Sequence, residues 1–257
     1  MVELSLNRLA GSARCNDVLV VGSSLGTSAA ALWTRCAALL DGFDVVGWDL
    51  PGHGRSLPAD VRFSVRDLAV AVRDATAGVA GGRRLFYAGV SLGGAVGLEL
   101  ALDPGSLCAV AVLASAPKIG DPAAWYQRAG VVRESGCAAM VNGSAQRWFA
   151  PGFTKKHAEV AETLLASLSQ TDALSYAFAC EALGAFDLRD RVDALSVPIL
   201  LGAGEHDKVI TVEAATHRVP NATVAVLKGC GHLPPAEDPA AVATLLADFF
   251  ARQRCAR

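Results

Sequence analysis

The chain has 257 residues, 52% of them apolar, and its 23 basic and 25 acidic side chains give a formal net charge of −2. That composition can bury one large core and is too apolar for a disordered chain. No basic block supports binding to nucleic acid or a membrane surface, and no apolar run approaches the ~18–20 residues that span a bilayer.

In chain order, the opening stretch MVELSLNRLAGSARCND has neither a basic start nor an apolar segment of signal-peptide type, so no secretory signal is read there. DVLVVG (17–22) is a buried strand, followed by a helix around 28–40 and a second strand, DVVGWDL (44–50). A helix at about 65–79 leads into RLFYAG (84–89), and a helix beginning near Leu92 leads into CAVAVLAS (108–115). Continuous apolar strands separated by helices predict an α/β fold: a mostly parallel sheet covered by helices on both faces.

The rhythm breaks between Lys118 and Arg191, where strand signals vanish and helical segments follow at 122–135, 137–148, 154–169 and 171–184. Asp121 before Pro122 reads as an N-cap with proline at the first helical position. Residues 118–190 are therefore expected to form a helical cap inserted into a core made of 1–117 and 191–257. Strands at 197–204 and 222–229 and an amphipathic helix at 236–253 complete the core. Seven scattered cysteines, at 15, 36, 108, 137, 180, 230 and 255, form no C-x-x-C pair. They read as reduced thiols packed as small apolar residues, without a disulfide framework or zinc site, and point to a cytoplasmic location.

GVSLG (89–93) has the pattern G-x-S-x-G between a strand and a helix. A nucleophilic serine there must occupy a tight, strained turn, and bulky neighbours would clash. The turn places Ser91 at the carboxyl edge of the sheet and turns the Leu92 amide toward a developing oxyanion. A serine needs a base, and the base needs an orienting acid. Of the histidines at 53, 157, 206, 217 and 232, His232 lies in KGCGHLPPAEDP, between the last strand and the last helix. His157 sits on a charged helix face, and His217 in the helix after strand 197–204 has no polar neighbours to recommend it. Past that same strand stand Glu205 and Asp207. Asp207 is chosen as the acid, with Glu205 in reserve, giving the order Ser91, Asp207, His232.

On these motifs the sequence resembles the α/β-hydrolase superfamily along essentially its whole length. DLPGHGRS (49–56) looks like a loop of that family, and His53 and Arg55 are read there as parts of a structural turn. The first-strand loop, VGSSLGTS (21–28), departs from the common His-Gly pattern with Ser23 and Ser24, and the Leu25 amide is the implied second oxyanion donor. GSSLGT, GHGRS, GVSLGG, APKIGDPAAWYQRAGVVRESG (116–136) and QRWF (146–149) look like 3-oxoadipate enol-lactonases.

That resemblance implies hydrolysis of a small anionic lactone in aromatic breakdown, with no metal or organic cofactor. A lactone bearing a carboxylate needs a cation, and the cap supplies Lys118, Arg128, Arg133 and Arg147. Arg128 is the expected anchor, sharing a helix face with Trp125 three positions earlier, with Trp148 as a further apolar wall. Rival readings are another small-ester carboxylesterase, a C–C bond hydrolase of the same fold, and a ligand-binding receptor that keeps its triad. The sequence carries no signal of oligomeric state.

Overall fold

The computed structural model describes residues 2–216 and 219–253; His217 and Cys255 lie outside them. Its strands are β1 (Leu6–Ala10), β2 (Asp17–Gly22), β3 (Phe43–Trp48), β4 (Arg84–Val90), β5 (Leu107–Leu113), β6 (Ile199–Gly204) and β7 (Thr223–Leu227). They form one sheet in the order β1-β3-β2-β4-β5-β6-β7, parallel throughout except for β1 against β3. In the centre Val20 of β2 stands between Val46 of β3 and Tyr87 of β4.

The first helices are α1 (Ala29–Ala37), α2 (Val65–Ala80) and α3 (Leu92–Leu102). They alternate with β2 to β5, so each crossover returns the chain to the same carboxyl edge. Between β5 and β6 lie α4 (Pro122–Ser135), α5 (Val141–Trp148), α6 (Phe153–Lys156), α7 (Ala158–Gln170) and α8 (Ala173–Ala185), with a 3-10 turn at Cys137–Met140. The chain ends through α9 (Val212–Thr216), α10 (Pro234–Glu237) and α11 (Pro239–Ala251). Helix α2 packs against α3, and α1 against α11. No helix among the described residues is long and apolar enough to cross a membrane.

Local chemistry accounts for the boundaries. Ser64 and Asp67 form a reciprocal capping box at the start of α2, and the Asp121 carboxylate accepts the Ala124 amide at 3.1 Å to open α4. The helix expected at 236–253 is split. Pro239 has no N–H to continue α10, and Asp238 accepts the Ala241 amide at 3.0 Å to start α11 afresh. The segment expected as one helix at 154–169 breaks at His157, whose φ of −131° and ψ of 52° are not helical.

Strand β1 is absent from the sequence reading because what holds it is tertiary. Arg8 reaches the fully buried Asp44 on β3 at 2.7 Å, and Arg83 reaches the same carboxylate at 2.9 Å. Burial alone would raise the Asp44 pKa; the two guanidiniums outweigh it and hold the group below the usual carboxylate range. Strand β7, expected as buried, is an edge strand with Val224 and Val226 exposed. Cys15, Cys36, Cys137, Cys180 and Cys230 are free thiols, whereas Cys108 is disulfide-bonded, contrary to the reading of all seven as reduced.

Candidate active site

Ser91 stands between β4 and α3 with φ of 56° and ψ of −115°. A left-handed φ is unfavourable for any residue with a side chain, so the surroundings must impose it. They do so through glycines and hydrogen bonds. A Cβ on Gly89 would run into the Gly93 carbonyl, and one on Gly93 would meet the Gly22 carbonyl carbon at 2.7 Å. The Ser91 amide donates to the Leu113 carbonyl at the end of β5 (2.9 Å), and the Gly93 amide to the Ser23 carbonyl (3.0 Å). The second bond fixes the loop after β2 beside the start of α3. Among the described residues the amides of Leu25, in that loop, and Leu92, at the helix start, have no acceptor. Both are free to receive an anion.

The loops after β6 and β7 bring Asp207 and His232 together. His232 Nδ1 lies 2.9 Å from Asp207 Oδ2 and 3.1 Å from Oδ1, with both side chains buried. Asp207 Oδ1 also accepts the amides of Val209 (2.7 Å) and Ile210 (3.0 Å), which fix the carboxylate. With Nδ1 engaged as a donor to Asp207, Nε2 is the ring nitrogen left to take a proton. Glu205 is elsewhere: its Oε2 accepts the Gly229 amide at 2.9 Å, and its side chain is half exposed.

Ser91 and His232 line one cavity of about 210 Å³, together with Ser24, Leu25, Trp125, Arg128, Trp148, Tyr176, Arg147 and Lys208 among others. Trp125 is fixed by its indole N–H to the Ile119 carbonyl at 2.6 Å, and the Arg128 guanidinium lies 4.8 Å from its ring centroid. Among the described residues neither Arg128 nor Arg147 is paired with a carboxylate. Burial, followed by the charge of Arg128, lowers the Arg147 pKa. Burial also pushes the Tyr176 phenol well above its ordinary value, against the pull of Arg128. These two neighbouring cations, neither ion-paired among the described residues, share with Lys208 and Asp121 a pocket walled by Trp125 and Trp148 and are suited to an anion.

The other proposed cations are not in this cavity. Lys118 pairs with Asp187 at 3.4 Å, and Arg133 pairs with Glu181 at 2.6 Å. His157 rests its ring against Phe153, 4.9 Å between centroids. His53 is buried, Nδ1 2.8 Å from the Pro51 carbonyl, with its ring stacked against Tyr176. Burial pushes its pKa down to about 4, so the ring is neutral near pH 7. Arg55 turns outward to Asn7 while its amide donates to Asp49, as a structural turn requires. Tyr176 and Lys208 were passed over in the sequence. Lys208 directly follows Asp207, and that adjacency was its available signal; Tyr176 had none. No group of three or more His, Cys, Asp or Glu among the described residues is arranged to hold a metal ion.

A strained serine between strand and helix, with acid and histidine on the next two strand-end loops, defines an α/β-hydrolase architecture. Residues 18–245 match the alpha/beta hydrolase family, and the chain belongs to that family. It is 32% identical over 243 residues to 3-oxoadipate enol-lactonase 2 of Acinetobacter baylyi, covering 93% of this chain and 90% of the relative. The enol-lactonase structure from Burkholderia xenovorans LB400 superposes with a TM-score of 0.85 at 26% identity, covering 98% of this chain and 96% of that one. A thermophilic esterase from Thermogutta terrifontis shares the fold with a TM-score of 0.87 at 21% identity, covering 98% and 94%.

Proposed function

We propose that the protein is a cofactor-free, cytoplasmic serine hydrolase that opens 3-oxoadipate enol-lactone to 3-oxoadipate, a step of aromatic catabolism. Residues 118–190 act as a cap over a core of 1–117 and 191–257. Ser91 Oγ attacks the ring carbonyl carbon as His232 Nε2 takes its proton, and Asp207 holds the imidazole and balances its charge. The Leu25 and Leu92 amides hold the tetrahedral oxyanion. Collapse breaks the acyl–oxygen bond, and the protonated His232 gives its proton to the departing enolate oxygen, regenerating the neutral base; the enol so formed ketonises, which drives ring opening forward. His232 then takes a proton from water as it attacks the acyl carbon, and returns it to Ser91.

The observation that carries this reading is the single cavity holding Ser91, His232 and two arginines without carboxylate partners. A neutral ester has no use for that pair, whereas a lactone bearing a carboxylate does; Arg128 is the proposed anchor, with Trp125 and Trp148 as walls. The similarity to named enol-lactonases supports the same substrate. The test is an ultraviolet assay on freshly generated enol-lactone. Turnover well above that of a neutral p-nitrophenyl ester is expected; turnover of the neutral ester alone, or of neither, would refute the assignment.

A further inference from the structure

Outside the triad, one carboxylate is bonded to both sides of the catalytic histidine. Glu237 closes α10, five positions after His232. Its Oε1 accepts the amides of Gly231 (3.0 Å) and Leu233 (3.1 Å), the two chain neighbours of His232. Its Oε2 accepts the amide of Ala150 (2.8 Å), which lies two positions beyond Trp148 in the segment between β5 and β6. A further bond joins the same two strands of chain: the His232 amide donates to the Trp148 carbonyl at 2.8 Å. They run so close that a Cβ on Gly231 would meet that carbonyl oxygen at 2.7 Å and the Ala150 nitrogen at 2.8 Å. Glycine is required there for contact between backbones.

We infer that Glu237 is a positioning residue for His232, fixing the histidine main chain and the Trp148 wall of the cavity in one register. The inference rests on the reading of His232 as the base. Asp207 fixes the ring but not the backbone from which the ring projects. Glu237 supplies that second constraint by holding the residues on each side of His232. Three partly buried amides converge on it, and water could replace it only by satisfying all three in the same space. A displacement of the base on the order of 1 Å can cost 10²-fold in rate. Both acylation and deacylation use His232, so loss of register lowers kcat and leaves KM nearly unchanged.

The test uses the intact chain with two substrate-independent probes: covalent labelling by a fluorophosphonate and steady-state hydrolysis of a p-nitrophenyl ester. Wild type that fails to label at Ser91 would refute the triad itself. Given labelling, Glu237→Ala is expected to slow labelling and lower kcat by about tenfold or more, with KM within about threefold. Glu237→Gln is the conservative rescue. One amide oxygen can still accept from both Gly231 and Leu233, so kcat recovers to within about threefold of wild type, with KM within the same limit. A folded Glu237→Ala protein that labels within about twofold of wild type overturns the inference, leaving Glu237 only a brace for the fold. If Glu237→Ala does not fold, Glu237→Asp, one methylene too short to span both strands, is read by the same criteria.

Discussion

Replacing Arg128 with alanine tests substrate recognition most directly. Its guanidinium lies against the Trp125 face and shares the cavity with Ser91 and His232. Loss of a charge-assisted hydrogen bond to a bound carboxylate costs about 1.5–3 kcal/mol. The structure places the answer in the lower part of that range. Arg147 remains in the cavity, and the repulsion between the two cations, part of what lowers the Arg147 pKa after burial, disappears with Arg128. A loss of about 1.5–2 kcal/mol corresponds to about 10–30-fold in kcat/KM for the enol-lactone. A neutral ester of similar size loses only contact with the aliphatic part of the side chain and should stay within about threefold. The assay is the ratio of kcat/KM for the two substrates, measured at two salt concentrations because accessible charge is screened. The Arg128→Ala, Arg147→Ala double variant removes the substitute cation and should lose more than the two single losses combined. Equal loss on both substrates would refute the reasoning, because Arg128 would then be supporting the helices and not reading the carboxylate.

Ser91→Ala should abolish fluorophosphonate labelling and lower kcat by on the order of 10⁴ or more; labelling retained at another serine would contradict the assignment. Asp207→Asn should lower kcat by about 10⁴ by favouring the wrong histidine tautomer, whereas Glu205→Gln should stay within about threefold; steady-state assays of the pair decide between the two acids. Asp44→Asn, measured by thermal melting, should lower Tm by about 6–20 °C at neutral pH, because it breaks a buried bridge between two arginines. The Asp44 pKa is depressed in the folded protein, so its stabilisation is present above the unfolded carboxylate value and lost as pH falls through the folded one. The gap between variant and wild type should therefore close in acid, and a gap that stays constant down to about pH 2 would contradict this account.

The parallel core was legible because strands buried on both faces read as unbroken apolar runs, as in residues 17–22 and 108–115. The position of Ser91 was legible because the strain it carries demands glycines in a fixed pattern. What escaped depends on contacts distant in sequence. Strand β1 is half-buried and held by Arg8 on Asp44, 36 positions away, so neither alternation nor propensity marks it. Strand β7 has a core strand's composition, yet it ends the sheet, and nothing local distinguishes an edge. Of Lys118, Arg128, Arg133 and Arg147, the sequence favoured Arg128 by its spacing from Trp125, but nothing local told Arg147 from Lys118 and Arg133. Glu181 and Asp187, far along the chain, engage two of them and leave the other two in the cavity. Glu237 drew no reading of its own: it fell within the helix expected at 236–253, and its third donor, Ala150, is 87 positions upstream.

The backbone at Ser91 also bears on how this chain can change over generations. A serine held at φ of 56° and ψ of −115° carries a conformational cost on the order of 1–3 kcal/mol that glycine would not. On the proposed role of Ser91, selection for turnover is what would keep the serine in place against that gradient. Where such selection lapsed, one substitution to glycine would both remove the proposed nucleophile and make the fold more durable. Loss of activity by this route is downhill in stability, and its reversal is uphill. A lineage that drifts from catalyst to binding protein would thus be expected to fix glycine at this position early, and populations screened for heat resistance alone would be drawn the same way.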